Sequence, residues 1–118
     1  MTAKLSTHVL DTHSGRPAHG VEWVLEYESP ENAWIRLAGG LTNRDGRTDG
    51  PLLEGDALET GRYRITFQVG AYFKAQGVSL PEPPFLDAVV LQVSLLAGQS
   101  YHVPLLTSPW SYSTYRGS

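Results

Sequence analysis

Glycines and prolines divide the 118-residue chain into short runs in which apolar and polar positions alternate. The alternation is clearest from Val21 to Glu28 and from Arg62 to Val69, where nearly every second side chain is apolar. A period of two residues is typical of a strand with one buried and one solvent-facing side. The pattern therefore predicts half-buried strands for most of the chain.

The predicted elements are seven strands and one short helix. The strands cover residues 4–13, 21–28, 33–37, 62–69, 87–96, 100–107 and 110–116. Pro104 has no N–H to donate, so the strand that contains it is predicted to bulge or to lack a partner on one side. The helix is predicted from Ala71 to Gln76, with Gly77 just after its C-terminus. Short strands at this spacing favour an all-β fold, an antiparallel β-sandwich forming one domain over residues 1–118.

Composition excludes several classes of function. The charged fraction is 18%, against about 25% in a typical domain, which suggests that other subunits cover part of the surface. With a net charge of −3, nucleic acid is not an expected partner. The chain has no cysteine, so thiol catalysis and thiolate-bound metals are excluded. No run approaches the roughly 20 apolar residues of a membrane span, and no leader or peroxisomal address is visible, so we expect a cytoplasmic protein.

Two histidines, His8 and His102, fall in the middle of predicted strands. They could exchange protons near neutral pH, or they could simply be half-exposed strand residues. The other two histidines, His13 and His19, lie near turns, and no two histidines have the spacing of a metal site. We therefore do not expect a metal.

Arg47 and the C-terminal tail are further candidates for binding a ligand. Arg47 follows the turn at Asp45 and Gly46, where its guanidinium could clamp a planar, carbonyl-rich molecule or remain solvated. The last eight residues contain two tyrosines and an arginine. They could form a contact surface or a frayed chain end.

Three blocks of sequence resemble the 5-hydroxyisourate hydrolases, also called transthyretin-related proteins. The first block is Leu5 to Thr12, followed by Gly15, Pro17 and Ala18; the second is Thr42 to Arg47; the third runs from Tyr101 to Leu106 and through Ser108-Pro109 to Tyr112–Ser118. The closing sequence Tyr-Arg-Gly-Ser is the most specific element, because transthyretin itself shares the fold and lacks that tail.

The resemblance implies a transthyretin-like sandwich of two four-stranded sheets, with one short helix after the fifth strand. It also implies a homotetramer, a dimer of dimers, whose central channel holds the active sites. Carried over by position, the catalytic residues are His8, Arg47 and His102. The residues that bind substrate are Tyr115, Arg116, Gly117 and Ser118.

The implied reaction is hydrolysis of 5-hydroxyisourate to 2-oxo-4-hydroxy-4-carboxy-5-ureidoimidazoline in urate degradation. The resemblance also implies that this reaction needs no metal and no organic cofactor. The sequence does not decide which histidine is the base and which is the acid. One alternative is a transthyretin-like carrier that binds a small ligand without catalysis, although polar residues in the channel weigh against an apolar ligand. Another is a structural β-sandwich that mediates protein contacts.

Overall fold

The structure is a computed structural model that describes residues 2–117. Nine strands and one α-helix follow one another along these residues. The strands are β1 (Lys4–Asp11), β2 (Arg16–Pro17), β3 (Glu22–Glu28), β4 (Trp34–Leu41), β5 (Leu53–Glu54), β6 (Gly61–Gln68), β7 (Ala88–Leu95), β8 (Tyr101–Thr107) and β9 (Tyr112–Thr114). The helix α1 spans Val69–Ala75, and a single 3₁₀ turn spans Gly55–Ala57. Among the described residues, no helix is long and apolar enough to cross a membrane.

The strands form two sheets that pack face to face. One sheet has the order β2-β1-β8-β9, with β5 also paired to β1, and the other has the order β4-β3-β6-β7. The predicted all-β sandwich with one short helix is therefore confirmed. The helix follows the fifth strand when the two-residue β2 is set aside, and β2 also makes the first sheet five-stranded instead of four-stranded.

One pair of strands differs from the predicted antiparallel arrangement. β1 and β8 run parallel, from Leu5 opposite Tyr101 to Asp11 opposite Thr107, while every other pair of described strands is antiparallel. A hairpin forces its two strands to run antiparallel, whereas strands far apart in sequence are free of that constraint. The β1–β8 pairing is important because these two strands carry both candidate histidines.

The core lies between the sheets and consists of the apolar side chains that the alternation predicts. Leu25, Ile65 and Phe67 on one sheet and Val9 and Leu105 on the other have no exposed surface.

The helix begins two residues earlier than predicted and ends before Gly77, whose φ of 81° places it in the left-handed region. This conformation is the one expected of the residue after a helix C-terminus.

β4 is longer than predicted, because it continues through Gly39 and Gly40 to Leu41. Gly40 lies opposite Trp23, and a side chain on Gly40 would start 3.6 Å from the indole ring. Gly40 therefore faces a large buried side chain, and the glycine pair does not end the strand.

A buried carboxylate fixes the end of β1. Asp11 is 3% exposed and accepts hydrogen bonds from the amides of His13 and Ser14 and from the hydroxyl of Tyr72 on α1. Buried charges are tolerated when such bonds satisfy them. The bonds connect the turn after β1 to the helix and hold β1 in place at this end.

Candidate active site

His8 lies in the middle of β1, on the outer face of its sheet. The burial of β1 alternates strictly: Leu5, Thr7 and Val9 are buried, whereas Ser6 and His8 are half-buried. Successive side chains of a strand point to opposite faces, so Ser6 and His8 share the face that points away from the core. The imidazole of His8 is therefore available to a ligand on that face.

The loop after β4 brings the backbone of Arg47 against β1. The amide of Val9 donates to the carbonyl of Gly46 at 2.7 Å, and His8 and Arg47 form an isolated antiparallel bridge. Inside the loop, the side-chain oxygen of Asn43 accepts hydrogen bonds from the amides of Asp45 and Arg47. These bonds make a compact turn that is attached to the edge of β1 beside His8.

Gly46 is the residue that allows this close approach. Its φ is 74°, and a side chain built on it would place Cβ 2.3 Å from the carbonyl oxygen of Val9. Both the left-handed conformation and the lack of space require glycine here. The sequence singles out Gly46 only as a turn residue, and it gives no role to Asn43.

His102 lies on β8, next to β1 and on the same outer face. The parallel register places Ser6 opposite His102 and His8 opposite Pro104. The Ser6 hydroxyl and His102 Nδ1 are 2.8 Å apart, within hydrogen-bond distance. Residues 6, 8 and 102 therefore form one group on two adjacent strands.

The C-terminal tail passes along the other side of His102. Gly117 and His102 exchange two backbone hydrogen bonds of 2.7 and 3.3 Å, in the same register as β9. Between these points the tail is unpaired at Pro104, because this residue has no N–H to donate. The hydroxyl of Thr114 instead donates to the Pro104 carbonyl at 2.7 Å. The predicted interruption of pairing at Pro104 is confirmed.

The four tail residues assigned to substrate binding have different environments. Gly117 lies against His102, while Tyr115 is 60% exposed. The guanidinium of Arg116 lies 4.5 Å from the ring centroid of Tyr101 and contacts the carbonyl of Ser100. This side chain therefore holds the tail on the sheet. Ser118 lies outside the described residues.

The charges of Arg47 and His8 both influence the pKa of His102. The pKa of His102 is lowered from the ordinary 6.5, because partial burial disfavours the imidazolium and because Arg47 and His8 add positive charge nearby. A histidine with a lowered pKa is mostly neutral at pH 7 and can accept a proton there. The three groups that the sequence singled out are thus brought together by β1, β8 and the loop after β4.

The donor set favours proton transfer over metal binding. Within residues 2–117 no group of three or more His, Cys, Asp or Glu side chains could hold a metal ion. Two imidazoles can donate and accept protons, and a guanidinium can hold carbonyl or oxyanion oxygens through paired N–H donors. This set is suited to adding water to a polar, carbonyl-rich molecule.

The fold and this site together define a two-sheet β-sandwich protein with a histidine–arginine site on one outer sheet face. The model of the HIUase/Transthyretin family matches residues 5–117, nearly the whole chain. The chain belongs to that family.

Individual relatives agree with this membership. The 5-hydroxyisourate hydrolase of Ralstonia nicotianae is 52% identical over 116 residues, which cover 98% of each chain. The crystal structure of (S)-allantoin synthase matches with a TM-score of 0.93 at 42% identity; the match covers 99% of this chain, which spans 44% of that one. Sea bream transthyretin in complex with thyroxine matches with a TM-score of 0.87 at 26% identity, over 98% of this chain and 95% of that one.

Proposed function

We propose that this protein hydrolyses 5-hydroxyisourate in urate degradation, with His8 and His102 transferring protons and Arg47 binding the substrate. The activity is supported by family membership and by a relative of that name that is 52% identical over 98% of each chain. The observation that carries the site assignment is the grouping of His8, Arg47 and His102 on one face of the β1–β8 pair.

The reaction adds one water molecule across a ring C–N bond. A neutral imidazole takes a proton from water while the oxygen forms a bond to the ring carbonyl carbon. The tetrahedral intermediate then breaks its C–N bond, and an imidazolium returns a proton to the leaving nitrogen. Positioned proton transfer of this kind typically contributes about 10²–10⁴-fold to the rate. No cofactor is needed to balance these steps.

Arg47 supplies the positive charge that this reaction requires. Negative charge develops on the carbonyl oxygen in the transition state, and a fixed guanidinium stabilises it. The backbone of Arg47 is held by the bridge to His8 and by Asn43, so the guanidinium starts from a fixed position. Tail residues Tyr115, Gly117 and Ser118 are proposed to border the substrate, and Arg116 to hold the tail.

Assembly into a homotetramer, a dimer of dimers, is part of this proposal. On the single chain the site is open, since His8 and His102 are half-buried and Arg47 is exposed. Large side chains around β9 are also exposed, with Trp110 at 56% and Tyr112 at 46%. Exposed apolar surface of this kind is typical of an interface. A second copy over the site face would exclude water and strengthen the electrostatic interactions within the site.

Three measurements test the assembly and the location. Light scattering should give the mass of four chains, and activity per chain should fall on dilution below the dissociation range. A monomeric protein with full activity would contradict the tetramer. The expected cytoplasmic location is tested by cell fractionation.

A carrier function is the main alternative, because the thyroxine complex of sea bream transthyretin has the same fold. The two possibilities are separated by one assay. Urate oxidase generates 5-hydroxyisourate, and the loss of its absorbance is followed with and without the purified protein. We expect the protein to accelerate the loss far beyond spontaneous decay. Calorimetric binding without any acceleration would instead support a carrier.

A further inference from the structure

Ser6 contacts His102 directly but has no role in the site as described so far. Its hydroxyl lies 2.8 Å from His102 Nδ1, and the two residues are direct neighbours in the parallel β1–β8 register. We infer that Ser6 is a positioning residue, which holds Nδ1 of His102 and leaves Nε2 to exchange protons with substrate. This inference rests on the proposed function.

The imidazole of His102 is held on both sides. Ser6 lies at the Nδ1 edge, on β1. Gly117 lies at the opposite edge, where a side chain on it would start 3.2 Å from His102 Cδ2. With one edge against β1 and the other against the tail, rotation of the ring is restricted. Nε2 is the ring nitrogen that remains for a ligand on the outer face.

The chemistry of the hydroxyl fits this role. An imidazole that accepts a proton at Nε2 must carry its first proton on Nδ1. The Ser6 oxygen can accept the hydrogen bond from Nδ1–H both before and after Nε2 is protonated. The partner of the other ring nitrogen often sets the tautomer of a functional histidine. The hydroxyl could equally donate to an unprotonated Nδ1. The inferred role is that it accepts from Nδ1–H, which leaves Nε2 free to act as a base.

Among the described residues, the groups known to act on or pair with His102 offer no competing acceptor for Nδ1–H. The charged or titratable groups that influence it are the guanidinium of Arg47 and the imidazole of His8. The guanidinium can only donate hydrogen bonds. The adjacent tail residue, Gly117, is already paired through its backbone N–H and carbonyl. Among these neighbours, Ser6 is the one that contacts Nδ1.

Ser6→Ala and Ser6→Thr test the role through kinetics. Loss of one hydrogen bond of ordinary net strength corresponds to roughly a tenfold change, so Ser6→Ala should lower kcat about tenfold with little change in KM. Ser6→Thr keeps the hydroxyl on a residue suited to strands and should recover most of kcat. Ser79→Ala, in the exposed loop after α1, is the matched control and should behave as wild type. Full kcat in Ser6→Ala, or no recovery in Ser6→Thr, would contradict the inference.

The tautomer of His102 is measured separately by ¹⁵N NMR on labelled protein, without substrate. The wild-type protein should show a protonated Nδ1 and an unprotonated Nε2 above the pKa of His102, and Ser6→Ala should shift the population toward protonated Nε2. The same tautomer in both proteins would overturn the inference even if the enzyme is active. An inactive wild-type protein would instead contradict the proposed function, and the NMR result would still test the Ser6 contact.

Discussion

The backbone of Gly117 is paired with that of His102, and a side chain at position 117 would meet the side chain of the same residue. Its amide donates to the His102 carbonyl at 2.7 Å, and a Cβ on residue 117 would lie 3.0 Å from His102 Cβ. The tail and the histidine therefore cannot be positioned independently. This contact explains why glycine stands at this point of the chain.

Gly117→Ala should displace either the tail or the imidazole. The built Cβ contacts require a shift of a few tenths of an ångström. Misplacement of a catalytic group by about 1 Å can cost about a hundredfold in rate, so we expect this smaller shift to lower kcat/KM by up to about tenfold. The unfolding temperature should hardly change, because the contact lies at the chain end. Gly98→Ala is a useful comparison, since a Cβ there meets nothing within 4 Å although its φ is 83°. Unchanged kcat/KM in Gly117→Ala would remove the tail from the site.

Arg116 should act on the tail and not on the chemical step. Its guanidinium stacks on Tyr101 at 4.5 Å, and an exposed contact of this kind contributes about 0.5–1 kcal/mol. Arg116→Ala should therefore raise KM a fewfold and increase amide exchange at Gly117, while kcat changes little. Arg116→Lys keeps the charge but loses the planar stacking, and it should resemble the alanine variant more than wild type. A large fall in kcat with normal exchange at Gly117 would show that Arg116 contacts the substrate.

Gly46→Ala should destabilise the whole domain. The added methyl would overlap the Val9 carbonyl, and the backbone there has a φ of 74°. Left-handed strain and overpacking together predict a loss of about 2–4 kcal/mol in the free energy of unfolding, measured by urea denaturation. Gly50→Ala is the matched control in the same loop, because a Cβ on Gly50 meets nothing within 4 Å and its φ is ordinary. Equal stability of the two variants would contradict the docking of the loop on β1.

The pH at which His102 titrates should depend on Arg47. The lowered pKa of His102 arises first from burial and then from Arg47 and His8, so His102 stays neutral to a pH below 6.5. Arg47→Ala removes one of these charges and should move the His102 titration, followed by NMR, to higher pH. Arg44→Ala, an exposed arginine of the same loop, should leave it unchanged. Identical titration in wild type and Arg47→Ala would separate Arg47 from His102.

The same pKa shift has a consequence for stability. His102 binds a proton less readily in the folded state than in the unfolded state, where its pKa is near the ordinary 6.5. The unfolded chain therefore holds more protons between these two pKa values, and the contribution of His102 to folding stability falls as the pH drops below about 6.5. His102→Gln should reduce this part of the pH dependence in denaturation experiments.

Much of the fold could be predicted from local pattern. The alternation around Tyr63 and Phe67 predicts β6, and Gly77 marks the end of the helix. The parallel pairing of β1 with β8 could not be predicted from local pattern, because it joins residues 96 positions apart, such as Ser6 and His102. Residue types placed His8 and His102 on strands, but only this register shows that they share one face.

In the loop at Gly46 and in the C-terminal tail, some features follow from the sequence and others depend on tertiary contacts. A turn at Asp45 and Gly46 follows from the residue types, but the missing space for a side chain at Gly46 depends on where Val9 lies. The resemblance to the family assigns Arg116 to the substrate, and this stays a prediction; the contact of its guanidinium with Tyr101 is not part of that assignment. Side-chain direction at a chain end depends on tertiary contacts that a sequence motif does not record.

The most direct test of the site is the rate of 5-hydroxyisourate loss with His8→Ala, His102→Ala and Arg47→Ala, each compared with wild type. His13→Gln, in the exposed turn after β1, serves as the control for a histidine outside the site. We expect each of the three variants to lose at least about a hundredfold in kcat/KM while keeping the wild-type mass and unfolding temperature, and His13→Gln to retain full activity. Wild-type turnover in all three variants, in the same assembled state, would contradict the account.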